Sequence, residues 1–439
     1  MMIQCMPPEI LVKIFFEANR HFRVRATSRL FRDLLTDAKP ELTYIVGFPG
    51  GIEENSKLKR ARGTEASNVK AVIDNLVDLA GKFTLSRIRL NNMVVPTSNN
   101  VSPALGPHVR HLGLTHMYVT MKWLAPGLST CSNLGELTLF DVPLCPEELD
   151  LLGKVLPTSL RGLTVNQVDM REEHAGMAGF AAGLARLYAL EYLNVSNNRF
   201  VQCAALGVAM RKLTNLMHFE CCNEDLDTTG FEQLLDGLVN NSNLRVLKIH
   251  MEGVDLTKLG LQAQDDLLDG VRRIVAKLSS TAFPNMQRLC ISGPRLEHNI
   301  MDLRIQSCRL LELKIENCLI DDDGLISLLA GLEECHHLES LDLGYNYITD
   351  EGMEHFVRFA HFHMHLDLLR VDGNEATHPT LRRIGNRLRE LGVRFSCDYS
   401  SSESTLDHEA APSVTHADIF GESDSDMADV DIFGEDDSD

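Results

Sequence analysis

Three histidines alternate at 361, 363 and 365, with His355 nearby, and they form the only cluster in the 439-residue sequence with metal-like spacing. Side chains two apart on an extended segment fall on one side, which is the placement a shared ion needs. No cysteine or carboxylate stands at supporting spacing, so solvated loop histidines are expected there, with no metal and no other cofactor. Gly47-Phe-Pro-Gly50-Gly51 lacks the following Lys-Ser/Thr of a phosphate-binding loop, and no G-x-S-x-G nucleophile turn occurs. Eleven cysteines, with no C-x-x-C pair, sit mostly inside apolar patterns. They read as reduced, buried small hydrophobes of a cytoplasmic or nuclear protein. No catalytic constellation is present, so the chain is expected not to be an enzyme.

What must be positioned instead is a surface, and a repeated rhythm builds it. The segments LEYLNVSNNRF (190–200), LLELKIENCLI (310–320) and LESLDLGYNYI (338–348) share the pattern L-x-x-L-x-L-x-x-N/C-x-L. Its first position recurs eleven times, at Leu85, Val109, Leu134, Leu160, Leu190, Leu216, Leu244, Met286, Leu310, Leu338 and Leu366. The steps run from 24 to 30 residues, except for 42 between Leu244 and Met286. The long step contains 259–278, which reads as an inserted helix. Only Asn198, Cys318, Asn346 and Asn374 meet the Asn/Cys position, where a side chain can bond the turn backbone. Glu224, Glu252 and Pro294 replace it elsewhere, and irregular turns are expected there.

Each strand is followed by a helical stripe. Gly230, Gly324 and Gly352 precede Phe231/Leu234/Leu235/Leu238, Leu325/Leu328/Leu329/Leu332 and Met353/Phe356/Val357/Ala360, the i, i+3, i+4, i+7 face of a helix. Thr228, Asp322 and Asp350 are the expected N-caps. This alternation resembles the leucine-rich repeat of the ribonuclease-inhibitor kind. The resemblance implies an α/β solenoid, a horseshoe with parallel strands inside and helices outside. A single unit cannot bury its own apolar face, so the units must stack.

In L-x-L the leucines face the core and the residues between them face outward. Along the array these outward residues mix both charges, polar groups and one aromatic, from Arg87/Arg89 to Leu368/Arg370. Tyr192, Asn194, His218, Glu220, Lys248, Arg288, Glu312, Lys314, Asp342 and Arg370 are the candidates for holding a protein target on the concave face. Tyr and Arg are the types that most often anchor interfaces.

The ends carry other signals. Pro7-Pro8-Glu9-Ile10-Leu11-x-x-Ile14-Phe15, followed by Arg25-x-x-Ser28-Arg29-x-Phe31-Arg32-x-Leu34-Leu35, resembles the F-box. That resemblance implies two short helices whose apolar surface (Pro7, Pro8, Ile10, Leu11, Ile14, Phe15, Leu30, Phe31, Leu34) inserts into a Skp1-like adaptor of a cullin ubiquitin ligase. The stretch from Phe15 to Arg25 is shorter than the family usually has. A helical cap sealing the repeats is the other reading of the same residues. The basic run from Lys57 to Arg62 precedes a helix pattern at Val69, Val72, Ile73, Leu76 and Val77, and reads as a solvated loop or a nuclear import signal.

From Phe395 to Asp439 there are 14 Asp/Glu and no Lys or Arg; without them the formal −20 becomes −6 for residues 1–394. Direct nucleic-acid binding is not expected of such a chain, and no apolar run is long enough to span a membrane. The tail composition is that of disorder. It nevertheless repeats itself: ADIFGESDSD (417–426) returns as VDIFGEDDSD (430–439). Ile419-Phe420-Gly421 and Ile432-Phe433-Gly434 are candidate short motifs for a tail-binding nuclear protein. Ser404 and Ser423, each followed by Asp at the third position, are candidate phosphorylation sites.

The expected organisation is an F-box-like helical segment (1–40), linker and capping helix (41–84), leucine-rich repeats (85–397) and a disordered acidic tail (398–439). The expected function is that of a substrate adaptor in a Skp1–cullin–F-box ubiquitin ligase. A nuclear scaffold or histone-chaperone-like protein is the alternative, and a Ran GTPase-activating protein ranks behind it because no matching Arg/Asn turn stands in the early repeats.

Overall fold

Alternating apolar residues two apart give strands with one face for a core, and the eleven L-x-L segments all become strands of one sheet. The computed structural model describes residues 42–47, 73–74, 76–77, 80, 85–94, 101–167, 174–198, 203–223, 226, 228–239, 241–251, 273–274, 283–293, 296, 309–363 and 365–397. The F-box-like residues, the basic run at 57–62, Glu224, Glu252, Pro294, most of 259–278, and the tail motifs with Ser404 and Ser423 lie outside the described residues.

The strands are β1 (Leu42–Gly47), β2 (Leu85–Val94), β3 (His111–Tyr118), β4 (Glu136–Phe140), β5 (Gly162–Asn166), β6 (Tyr192–Asn194) and β7 (His218–Asn223). Then follow β8 (Val246–Met251), β9 (Arg288–Ser292), β10 (Glu312–Glu316), β11 (Ser340–Asp342), β12 (Leu368–Arg370) and β13 (Arg394–Ser396). They pair in chain order, and every pairing is parallel. The stretch 41–84, expected to hold a linker and a helix, contributes β1 before the helical Ile73 and Leu76, both buried. β13 is a further strand beyond the eleven L-x-L segments.

The register keeps equivalent positions together. Leu137, Leu163, Leu193, Phe219 and Leu247 are successive partners across β4 to β8, and Leu289, Leu313, Leu341 and Leu369 continue the row. All are buried, and burying one such side chain is worth about 1.5–3 kcal/mol. Behind them pack the helices α1 (Met121–Thr130), α2 (Pro146–Val155), α3 (His174–Leu184), α4 (Ala204–Met210), α5 (Thr228–Leu238), α6 (Asp322–Gly331), α7 (Asp350–Phe362) and α8 (His378–Glu390). The three expected helical stripes are buried, with Val357 at their edge only partly covered.

Glycines let some helices touch at the backbone. A Cβ at Gly183 of α3 would lie 2.5 Å from Gly153 Cα of α2, and Gly207 and Gly237 meet in the same way between α4 and α5. No other residue permits that approach.

Two expected caps are displaced by one residue. Asp321, not Asp322, caps α6 by accepting from Gly324 N at 2.9 Å, and Thr349, not Asp350, caps α7 by accepting from Glu351 N at 3.2 Å. Asp321 and Thr349 hold the extended backbone that a cap needs. The displaced carboxylates reach the next unit instead. Asp322 accepts from Thr349 N (2.9 Å) and Thr349 Oγ1 (2.5 Å), and Asp350 accepts from Thr377 N (2.7 Å) and Thr377 Oγ1 (2.9 Å). Gly352 leaves room for Asp322, whose Cγ would otherwise lie 3.0 Å from a Cβ.

Candidate functional site

Most strands turn sharply to deliver the next residues to the edge of the sheet, and one position does this in eight of the eleven units. The residue seven after the first leucine position is left-handed in eight units: His116, Asp141, Gln167, Asn197, Gly293, Asn317, Tyr345 and Gly373, with φ from +48° to +98°. Its N–H donates to the neighbouring unit, as from Asp141 to Asn166 O (2.9 Å) and from Tyr345 to Asp372 O (2.7 Å). The following Asn fixes the turn. Asn346 Nδ2 donates to the carbonyls of Ile315 (2.9 Å), Leu343 (3.0 Å) and Gly344 (3.1 Å), and its Oδ1 accepts from Cys318 N (3.0 Å) and Ile320 N (3.2 Å). Asn198 and Asn374 bond in the same manner, and Cys318 Sγ donates to Glu316 O at 3.0 Å.

These corners hold the outward residues in rows. One row runs Asn194, Glu220, Lys248, Cys290, Lys314, Asp342, Arg370 and Ser396, each the direct partner of the next across the strands. Another runs Tyr192, His218, Val246, Arg288, Glu312, Ser340, Leu368 and Arg394. All ten candidate residues therefore share one face of the sheet.

Neighbours on that face compensate one another. Glu220 accepts from Asn194 Nδ2 at 2.7 Å and lies 2.7 Å from His218 Nε2 and 2.8 Å from Lys248 Nζ. The Tyr192 and His218 rings meet edge to face, 4.7 Å between centroids. Lys314 Nζ pairs with Glu316 (2.7 Å) and Asp342 (3.4 Å), while Arg370 spans Asp342 (3.7 Å) and Asp372 (3.4 Å). Arg288 stands 3.4 Å from Glu312. Asn194, Glu220, Glu312, Lys314 and Asp342 are buried by these contacts, whereas Tyr192, His218, Lys248, Arg288 and Arg370 keep partial exposure.

The carboxylates divide by environment. Burial opposes ionisation of Glu220, but the His218 hydrogen bond and the Lys248 charge outweigh it and hold the group at about 2. Burial raises Glu312 despite the opposing charge of Arg288. It also raises Glu316, where Asp342 adds to the effect and the Lys314 hydrogen bond opposes it. Glu316, Asp372 and Ser396 extend the site beyond the residues read from the sequence. The first two stand directly after L-x-L, two residues beyond its outward residue, where the alternation simply continues; Ser396 belongs to β13.

The histidine cluster divides in another way. His361 and His365 are exposed, but His363 is buried, its Nδ1 3.1 Å from Phe359 O and Nε2 3.1 Å from Leu332 O. Its ring stacks on Phe359 at 3.8 Å. The expected solvated loop is corrected here: His361 is a helical residue in the last turn of α7, and His363, its C-cap, is packed behind that helix terminus. Among the described residues no group of three or more His, Cys, Asp or Glu is placed to hold a metal. Among the described residues the cysteines form no disulfide, and burial pushes Cys131 up to about 11. Among the described residues no helix is long and apolar enough to cross a membrane.

A Leucine Rich repeat family model matches residues 334–357. NLR family CARD domain-containing protein 4 of Xenopus tropicalis is 27% identical over 272 residues, 59% of this chain, and the chain spans only 25% of that relative's length. Among solved structures, an internalin of Listeria monocytogenes is 15% identical, with 76% of this chain and 94% of that chain covered and a TM-score of 0.41. A leucine-rich repeat protein of Leptospira interrogans is also 15% identical, with 71% and 84% covered and a TM-score of 0.32. The in-register parallel strands, left-handed corners and asparagine ladder of the described residues, with the family match at 334–357 among them, are those of the leucine-rich repeat fold.

Proposed function

We propose that this protein is a recognition subunit without catalysis of its own, which holds a protein target on the open face of its sheet. The observation that carries the reading is the row from Asn194 to Ser396, where compensated charges give a pre-organised polar floor. Tyr192, Arg288 and Arg370 supply the side-chain types that anchor interfaces. Side chains already fixed by their neighbours lose less freedom on binding.

The resemblance of residues 6–37 to the F-box supports the fuller role of substrate adaptor in a Skp1–cullin ubiquitin ligase. Ile10, Leu11, Ile14 and Phe31 would enter the Skp1-like subunit, and catalysis by its partners would act on the held target through proximity. The test is capture of purified Skp1 by the full-length chain, wild type against Leu11→Asp and Phe31→Asp. Wild-type capture lost in both variants supports the adaptor role; no capture by the wild type rejects it and leaves recognition by the sheet untouched.

The 14 carboxylates between Phe395 and Asp439 favour a second reading, a nuclear scaffold whose tail meets basic proteins such as histones. Salt-sensitive histone binding by the full chain, absent when the tail carboxylates are replaced by amides, is its expected result.

A further inference from the structure

The corners that follow β10, β11 and β12 carry two exposed tyrosines on an acidic rim. Tyr345 is 59% exposed and Tyr347 47%, although both stand in a turn bonded to the units on either side. Tyr345 N donates to Asp372 O at 2.7 Å, and Tyr347 N to Ile320 O at 2.8 Å. Tyr345 takes the left-handed corner (φ +54°) that His, Asp, Gln, Asn or Gly takes in the other seven units, and a bulky side chain is uncommon in that conformation. Its ring lies against Gly373, where a Cβ would stand 2.5 Å from Tyr345 Cδ1. The ring is therefore seated on the next corner before any partner arrives. Single exposed aromatics are ordinary, but two fixed on one turn are suited to anchoring a partner.

The surrounding charge selects the occupant. The corner segments 316–323, 342–351 and 372–377 hold nine Asp/Glu and no Lys or Arg. Contacts between units bring them together, since Asp322 accepts from Thr349 N and Asp350 from Thr377 N. Two cations of the sheet reach them: Lys314 lies 2.7 Å from Glu316, and Arg370 lies 3.4 Å from Asp372. Even with Arg382 from the second turn of α8 counted as a third, six carboxylates remain in excess among the described residues. Asp323, Glu351 and Glu375 are exposed. Directly before Tyr345, the Asp342 and Glu316 carboxylates stand 3.3 Å and 3.6 Å from where a Cβ of Gly344 would be. Burial raises Glu316 and Asp342 adds to it, a repulsion that a further cation would relieve. A nucleic acid is repelled by such a rim, and a second copy of a chain at −20 is disfavoured as well.

We propose that this corner rim binds a Lys/Arg-rich segment of the target protein, with cations resting on the rings of Tyr345 and Tyr347 and pairing with Glu351 and Glu375. A guanidinium or ammonium over an aromatic face is attracted by the ring, and carboxylates beside it add to the attraction. The inference rests on the reading of the open face as the surface that holds a target, and it adds the charge that target carries beside the sheet.

The test is fluorescence anisotropy of a labelled short Arg/Lys-rich peptide, titrated with the full-length chain in which the carboxylates of 398–439 are replaced by amides, so that the tail does not compete for it. Binding should weaken about fivefold or more in Tyr345→Asn and about tenfold or more in the double variant Glu351→Lys/Glu375→Lys. Asn is at home in a left-handed corner, so Tyr345→Asn should keep or raise the thermal midpoint and separate loss of the ring from loss of the fold. Tyr188→Ala, at an exposed tyrosine outside these corners, is the control with undiminished affinity. Absence of binding, undiminished binding by Tyr345→Asn and the double variant, or equal binding of a glutamate-rich peptide overturns the proposal. So does a dimer by sedimentation that Tyr345→Asn abolishes, since it assigns the rim to a second copy. A failed peptide together with target crosslinking at Tyr192 on the open face rejects the rim alone and leaves recognition by the sheet standing.

Discussion

Replacing Asn346 with alanine should be among the most damaging single changes in the repeats, although it removes little apolar area. Its side chain is buried and serves three carbonyls and two N–H groups. Two of the carbonyls keep other donors: Leu343 O also accepts from Asn374 Nδ2 at 2.9 Å, and Gly344 O from Asn317 N at 3.2 Å. The Cys318 and Ile320 N–H groups and the Ile315 carbonyl lose the partner that Asn346 provides. At roughly 1–1.5 kcal/mol for each buried group so stranded, the cost is about 3–4 kcal/mol. That is a large share of the 5–15 kcal/mol typical of a whole domain, on the order of a third. Urea unfolding of the full chain measures it, with Asn317→Ala as the exposed comparison. Asn317 has φ +51° and is outward-facing, so its loss should cost only about 1 kcal/mol of left-handed strain. A loss below 1 kcal/mol in Asn346→Ala would refute the view that the side-chain ladder holds the turns.

Other consequences concern packing, pH and the links between units. Gly183→Ala, in the last turn of α3 where alanine normally stabilises over glycine, should instead destabilise by about 2–3 kcal/mol because its Cβ meets the α2 backbone; an unchanged or raised thermal midpoint would contradict the packing. Glu220, held at about 2 from an ordinary 4.5, contributes stability that is present above its unfolded value and lost as pH falls toward 2, worth roughly 3 kcal/mol. Glu312 and Glu316, raised by burial, act with the opposite sign, becoming protonated first in the folded state as pH falls. Lys248→Met should therefore move the acid limb of the stability–pH curve upward in pH, and a limb superimposed on the wild type's would count against the Glu220 network. Asp322→Ala should cost about 1–2 kcal/mol and speed amide exchange at Thr349, while leaving the α6 cap at Asp321 protected.

Much of this architecture was legible because a period of two for strands and 3.6 for helices leaves its mark on apolar residues. Leu310, Leu313 and Ile315 announce β10 as plainly as Leu325, Leu328 and Leu332 announce α6. The asparagine ladder was legible too, since Asn at that position has the donors and acceptor a turn needs. β13 was less so: Val393 and Phe395 alternate, but the first leucine of the motif is missing. The N-caps slipped because Ile-Asp-Asp-Asp and Ile-Thr-Asp each offer adjacent capping side chains, and only the extended backbone at Asp321 and Thr349 decides between them. The compensation of Glu220 by Lys248 was the hardest to see. It joins residues 28 apart and exists only once the strand register is fixed.

The most direct test of recognition by the open face places a photo-crosslinking amino acid at Tyr192 or Ser340 on that face, and at Lys212 on the helix side, in the full-length chain. Illumination in cells should give the same non-self protein adduct from Tyr192 and Ser340 and none of it from Lys212. Adducts confined to Lys212, or equal at all three positions, would contradict the account.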